Sequence, residues 1–317
     1  MVVLAFLRLI RLPILLLVAV IQYMTRYLVI EPMLHLNKLD LIITDGQFAL
    51  LVLASILIGG GGYAINDYFD VKIDRINKPK KIIVGRLIKR RVAMATHVVM
   101  TVLGLLISVG VSYKVGLWEL STFFILASFL LWYYSTHLQH TTFWGNFVTA
   151  IIAAFAPLVV GLYEIPLQNL RIEEQISHLR YSPLNTIAFW ILGYSALIGI
   201  LTLAREITKD VIDMRGDKYY DLRTVPVVVG VRNSKLIIMS VYVLFGLVLS
   251  YFYLKNAAHN VWFTYMYAVL FLLALIQFPL LYKARTKPHF LMSANMNVVT
   301  VMVLIGTMFV INYMLLH

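Results

Sequence analysis

The chain alternates long apolar runs with short polar connections. Stretches of about 20 mostly apolar residues, the length of a bilayer-crossing helix, fall at 12–31, 46–65, 92–112, 118–137, 145–164, 185–204, 236–254, 261–282 and 293–315. These nine runs predict nine transmembrane helices and an all-α integral membrane fold. Two connections stand out, 66–91 after the second run and 205–235 after the sixth. Each opens as a carboxylate-rich helical continuation and closes in basic residues. The segment "VVLAFLRLIR" at 2–11 predicts an interfacial helix leading into the first span. Pro13 then falls near that span's start, where its missing N–H costs least. The connection 165–184, "IPLQNLRIEEQISHLRYSPL", is polar with apolar spacing and predicts a segment lying on the membrane surface.

Composition agrees with this pattern. Of 317 residues, 61% are hydrophobic, against about 45–50% in soluble domains. The first apolar run is long and no small-residue cleavage site follows it, unlike a cleaved signal peptide. There is no cysteine, which excludes a disulfide framework and thiol chemistry. The net charge is +12, and its placement says more than its size. With the N-terminus inside, the inner segments are 1–11, 66–91, 138–144, 205–235 and 283–292, and they hold 21 of the 27 Lys and Arg residues. Arg26, Lys38, Lys114, Arg171, Arg180 and Lys255 fall outside. This bias predicts an N-in/C-out topology, as an odd number of spans requires. Lys89, Arg90 and Arg91 are read as part of that signal. The basic excess thus marks topology rather than a nucleic-acid footprint, and no protein partner is implied.

The chemistry lies in the two long connections. Residues 59–81 read "GGGGYAINDYFDVKIDRINKPKK", which sets Asn66, Asp70 and Asp74 at i, i+4 and i+8. Residues 204–230 read "AREITKDVIDMRGDKYYDLRTVPVVVG", which sets Asp210, Asp213 and Asp217 at i, i+3 and i+7. On a helix each set forms one face, and the pair points to two pseudo-equivalent halves within a single domain, 1–317. Like charges on one face repel, and an Asp near hydrocarbon costs roughly 2.5–3.5 kcal/mol even on the lenient insertion scale. A bound cation explains such faces. Oxygen-only ligands suit Mg²⁺, Mn²⁺ or Ca²⁺ rather than zinc. Mg²⁺ commonly takes one or two carboxylates and completes its shell with water and substrate phosphates. Two acidic faces on one side of the membrane, with lysines and arginines nearby, describe a diphosphate site. One such face alone would be ordinary solvated surface. Gly59–Gly62, which precede the first set, either let helices pack closely or keep room for a lipid chain.

"NDYFDVKID" resembles the NDxxDxxxD motif of the UbiA superfamily of intramembrane prenyltransferases, and "DVIDMRGD" looks like its second aspartate motif. The nine runs and two inner connections fit the superfamily's layout, so the resemblance covers nearly the whole chain. It implies a helical bundle around a central, lipid-open cavity and an Mg²⁺-bound prenyl diphosphate whose chain passes to an acceptor. Carried over residue by residue, it makes Asn66, Asp70, Asp74, Asp210, Asp213 and Asp217 the metal set. Asp70 and Asp210 are central to catalysis. Asp67 joins them as a member of the first motif that lies off the main face and orients a neighbouring ligand. Lys72, Arg75 and Lys209 are phosphate contacts or ordinary loop charge. In "YYSTHLQHTTFWGN", Tyr134, Ser135, Gly145 and Asn146 match the family's pattern, whereas Gln139 stands where a lysine is expected. The missing cation is then absent or supplied by His137 or His140. Tyr63, Tyr68 and Tyr134 are candidates to stabilise a carbocation or to pack.

Within the superfamily, "REITKDVIDMRGD" looks most like the group that transfers geranylgeranyl to the hydroxyl of geranylgeranylglyceryl phosphate in ether-lipid synthesis. The trailing "GDKYYDLRTVPVVVG" is shared with chlorophyll synthases, so a chlorophyllide or quinone-precursor acceptor stays open. Arg8 and Arg11 either bind an acceptor phosphate or anchor the chain at the membrane surface. The charge bias, with both aspartate sets on the inner side, predicts a cell-membrane protein whose site faces the cytoplasm. A rival of another class is a divalent-cation carrier, which would set ionisable groups near the bilayer midplane. Here the two aspartate sets sit at the inner ends of the spans.

Overall fold

The computed structural model describes residues 2–79, 82–139, 141–173, 184–256 and 260–316, and apart from an isolated bridge between Val84 and Ile88 its regular elements are helical. A short helix α1 (Val2–Leu9) precedes α2 (Leu12–Met24). Arg11 joins them in the left-handed conformation, φ 51°, and Pro13 follows in the first turn of α2. A π-helical stretch, Thr25–Ile30, carries α2 into α3 (Glu31–Leu36). Helix α4 (Asp45–Phe69) opens with a reciprocal cap between Thr44 and Gln47. Helices α5 (Val71–Asn77), α6 (Arg90–Lys114), α7 (Ser121–Tyr133), α8 (Trp144–Glu173), α9 (Leu184–Tyr219), α10 (Val225–Asn256), α11 (Val261–Lys283) and α12 (Lys287–Leu316) follow.

Among the described residues, 8 helices are long and apolar enough to cross a membrane, the first running from Leu12 to Leu36. The stretch 118–137 is not one of them. It consists of a 3-10 turn (Trp118–Leu120), the 13-residue α7 and a π-helical end (Tyr134–Leu138). Helix bounds also run beyond the apolar runs. Helix α8 continues to Glu173, through the first half of the connection expected to lie on the membrane surface. The rest of that connection, 174–183, lies outside the described residues.

The chain divides into two compact units, Met1–Gln139 with Ala156–Ile191, and His140–Phe155 with Leu192–His317. In the first, α4 packs along α6 through the glycine run. A Cβ on Gly61 would meet Thr101 Oγ1 at 2.6 Å and the His97 carbonyl at 3.2 Å. One on Gly60 would meet Met100, one on Gly62 would meet Leu131 of α7, and one on Gly59 would meet Leu15 of α2. The space beside the glycines is therefore filled by neighbouring helices, which supports close packing over room for a lipid chain. At the other end of α4, the buried Glu164 accepts hydrogen bonds from the backbone N–H of Ile42 (2.7 Å) and Ile43 (3.4 Å). Arg26 ties the same loop down through the Ile43 carbonyl and Asp45. A small core of Ala5, Leu9, Ala64, Val71, Val84, Ile88 and Ala93 clamps α1, α5 and the 83–88 turn onto α4 and α6. That core fixes the backbone on which Asp70 and Asp74 stand.

In the second unit, Asn297 of α12 donates to the Leu201 carbonyl and to the Tyr242 hydroxyl, and Tyr194 and Thr307 share a 2.6 Å hydrogen bond. Val211, Ala284 and Phe290, with Ile212 and Val231 against them, fasten the end of α9 to the turn between α11 and α12. Gly230, at φ 80° and ψ 161°, kinks α10 near its start, a conformation that a side chain adopts only under strain.

Candidate functional site

The first carboxylate set is built on a helix that barely pauses between α4 and α5. The Asp70 N–H donates to the Asn66 carbonyl (3.0 Å), Asp74 to Asp70 (2.9 Å) and Lys78 to Asp74 (2.8 Å). These i to i−4 bonds keep Asn66, Asp70 and Asp74 on one face. The Asn66 carboxamide donates to Asp70 Oδ2, and the Gln139 carboxamide reaches Asp70 Oδ1 from the end of the π-helical stretch. Asp74 lies 3.7 Å from Lys78 Nζ. Asp67, one residue further round, turns instead to the corner between α1 and α2, where Arg11 pairs with it at 3.1 Å. The Arg11 guanidinium also lies 4.6 Å from the centre of the Tyr63 ring. Arg90 covers the Tyr68 ring in the same way, at 4.4 Å. Each of these two candidate carbocation partners thus carries an arginine on one face, while Tyr134 is half-buried at the start of the π-helical stretch.

Arg8, Lys72 and Arg75 are exposed, the first on α1 and the others on α5. Ser135 is buried and donates to the Leu131 carbonyl, a bond internal to its helix. His137 is exposed, stacks on Tyr133 and bonds to Thr136. His140 lies outside the described residues.

The second set stands on α9, which continues unbroken through all three aspartates to Tyr219. Asp210 accepts a 2.7 Å hydrogen bond from Asn146 of α8. Asp213 and Asp217 are buried, with Lys287 of α12 3.9 Å from the first and the Thr224 hydroxyl donating to the second at 3.1 Å. Lys209 pairs with Glu206 at 2.9 Å. Sequence reasoning missed Lys287 as a partner. The available signal was its place in the basic stretch 283–292, on the side expected to face inward.

The two sets share a chemical device. Asp70 and Asp210 each accept hydrogen bonds from carboxamides. A carboxamide N–H occupies one lone pair and fixes the rotamer without cancelling the charge. The carboxyl group is left as an oriented oxygen ligand. Among the described residues no three Asp, Glu, His or Cys side chains converge into a ready-made cage. Neither aspartate face is by itself a closed cage. That fits Mg²⁺, which takes one or two carboxylates and leaves the rest of its shell to water and phosphate oxygens.

Long apolar helices that end in oriented carboxylates define an integral membrane protein equipped to hold a charged group at the membrane boundary. The UbiA prenyltransferase family model matches residues 38–310, and the chain belongs to this family. A digeranylgeranylglyceryl phosphate synthase from Methanothrix thermoacetophila is 32% identical over 204 residues, 64% of this chain and 66% of that protein. One from Pyrococcus horikoshii is 30% identical over 195 residues, 60% of each chain. The chain thus spans about 60% of the length of that curated relative. The fold is that of a structure described as giving insight into digeranylgeranylglyceryl phosphate synthase in membranes, at TM-score 0.68 and 19% identity, with 98% of each chain covered. A UbiA homologue from Archaeoglobus fulgidus bound to GPP and Mg²⁺ superimposes at TM-score 0.57 and 13% identity, covering 96% of this chain and 99% of that one.

Proposed function

We propose that this protein is a prenyltransferase that moves a geranylgeranyl group from its diphosphate to the hydroxyl of geranylgeranylglyceryl phosphate, an ether-forming step in lipid synthesis. The observation that carries the reading is the pair Asp70 and Asp210, each a carboxylate oriented by carboxamides on the polar continuation of an apolar helix. Family membership and relatives named for this synthesis support it. Mg²⁺, when bound, neutralises the diphosphate oxygens and makes diphosphate a better leaving group. Asn66, Asp70 and Asp74 on one face, and Asp210, Asp213 and Asp217 on the other, are the chain's ligands for it. Exposed Lys72 and Arg75 on α5, and Lys287 beside Asp213, supply further positive charge for phosphate oxygens. The allylic C–O bond of the diphosphate breaks, and diphosphate leaves with the electron pair. The cation left behind is shielded from water in a lipid-open cavity. The acceptor hydroxyl then forms the new C–O bond and releases its proton. The protein works from the cell membrane through nine spans, the 8 long helices and the shorter helical stretch 118–137, N-terminus inside and C-terminus outside, with its site facing the cytoplasm.

The test is incubation of the purified protein with Mg²⁺, geranylgeranyl diphosphate and a panel of acceptors, followed by mass spectrometry. Prenylated glycerol phosphate is the expected product. A prenylated quinone precursor or chlorophyllide in its place would overturn the acceptor but not the reaction class. No transfer to any acceptor, with Mg²⁺ alone stabilising the protein, would favour a cation carrier. Asp70→Ala and Asp210→Ala should each retain less than about a tenth of the wild-type rate, since loss of a metal ligand removes several kcal/mol of charge stabilisation. Both variants should stay folded but melt lower, because each removes the carboxylate that accepts the Asn66 and Gln139 or the Asn146 carboxamide.

A further inference from the structure

The Gln139 carboxamide does two things. Its nitrogen donates to Asp70 Oδ1, while its oxygen Oε1 is buried with no hydrogen-bond partner among the described residues. The amide cannot be turned round. An ionised carboxylate only accepts, so the nitrogen must face Asp70 and the oxygen must face away from that bond. Oε1 is therefore an acceptor buried within one carboxamide's breadth of a carboxylate, with no donor supplied to it. An unsatisfied buried acceptor is rare in native structures, and an ion or a bound water is a usual reason for one.

The placement is built into the local fold. The Gln139 N–H donates to the Tyr134 carbonyl at 2.9 Å, closing the wide turn of the π-helical stretch Tyr134–Leu138. That extra residue in the turn sets the carboxamide apart from where a regular α-helix would put it, and such turns recur at functional sites. The other oxygen of Asp70 accepts from Asn66, whose own amide oxygen adds a third hard donor nearby. One carboxylate and two amide oxygens are ligands for a hard divalent cation, not a softer metal.

We propose that Gln139 is part of the cation site itself, its Oε1 binding the divalent ion at Asp70 directly or through one water. This rests on the reading of Asp70 as a metal-binding residue. It also accounts for the glutamine where a lysine was expected, since the site here gains an oxygen ligand in place of a fixed positive charge.

The experiment is a Mn²⁺ titration of the detergent-purified chain, read by electron paramagnetic resonance, with an uncleavable prenyl thiolodiphosphate present. Wild type is compared with Gln139→Leu, Gln139→Glu and Asp70→Asn, each checked for folding by gel filtration and metal-free melting. Gln139→Leu should weaken Mn²⁺ binding about 10–100-fold, the usual effect of losing a group from the ligand shell. Gln139→Glu should bind Mn²⁺ more tightly than wild type, because it replaces a neutral oxygen with an anionic one. If both Gln139 variants bind Mn²⁺ as wild type does while Asp70→Asn does not bind it, Gln139 has no part in the site and the wider reading stands. If Asp70→Asn binds Mn²⁺ unchanged, both fall. Should Gln139→Leu fail to fold, Gln139→Glu decides alone, and an unchanged affinity overturns the proposal.

Discussion

Asp67 stands one residue off the face that carries Asn66, Asp70 and Asp74, and its carboxylate is held by Arg11 from 56 positions away in sequence. Its side chain is 14% exposed, so it depends on that partner. Arg11→Ala should therefore lower stability by about 2 kcal/mol, below the ~3–5 kcal/mol of a fully buried pair because Arg11 itself is partly in solvent. The double variant Arg11→Met with Asp67→Asn should recover most of the loss in thermal melting. A loss of acceptor binding by Arg11→Ala with unchanged melting would instead assign Arg11 to the acceptor phosphate. The residues of the two aspartate faces were legible in the sequence because helical spacing is local. Their partners were not. Gln139 is 69 residues from Asp70 and Asn146 is 64 from Asp210, and only tertiary packing brings such positions together.

Helix α4 is defined by what surrounds its glycines. Gly61 faces the backbone of α6, where the His97 carbonyl has little room to move. Gly61→Leu should cost more than the ~1–3 kcal/mol of ordinary overpacking, seen as loss of a monodisperse gel-filtration peak. Gly110→Ala on α6, where an added Cβ meets nothing within 4 Å, should be neutral or raise stability by about 0.5–1 kcal/mol through helix propensity. A folded Gly61→Leu protein that accepts only shorter prenyl chains would return the glycines to the substrate. Apolar periodicity revealed the long helices but not their ends. Helices α8 and α9 run on through polar residues because each residue added to a nucleated helix gains a backbone hydrogen bond, and the buried Glu164, Asp213 and Asp217 have partners there. The stretch 118–137 read as one span, yet the π-helical end that carries Gln139 toward Asp70 left no mark in its hydropathy. A wide turn is set by tertiary contacts rather than by composition.

At the scale of the whole molecule, charge placement argues for an N-in/C-out topology with nine crossings. The absence of cysteine makes this directly testable, since any introduced thiol is unique. Cysteines at Lys72 and Arg223 should react with an impermeant reagent only from the inner side, and those at Lys114 and Lys255 only from the outer side. Matching sidedness for Lys72 and Lys114 would exclude the topology. The fold class and the membrane environment were legible from composition alone, because 61% hydrophobic content leaves few alternatives. The two aspartate sets pointed to two halves, but which segments make up each compact unit was not legible, since it depends on which helices pack together. One dimension of α9 bears on how the site is set. Its 36 unbroken residues make a rod of ~54 Å at about 1.5 Å per residue, against a hydrocarbon core of about 30 Å. Asp210 rides on that rod rather than on a hinge or loop. The bilayer is therefore the ruler: where its boundary falls on α9 sets how deep the headgroup of any bound lipid must sit to reach the carboxylates.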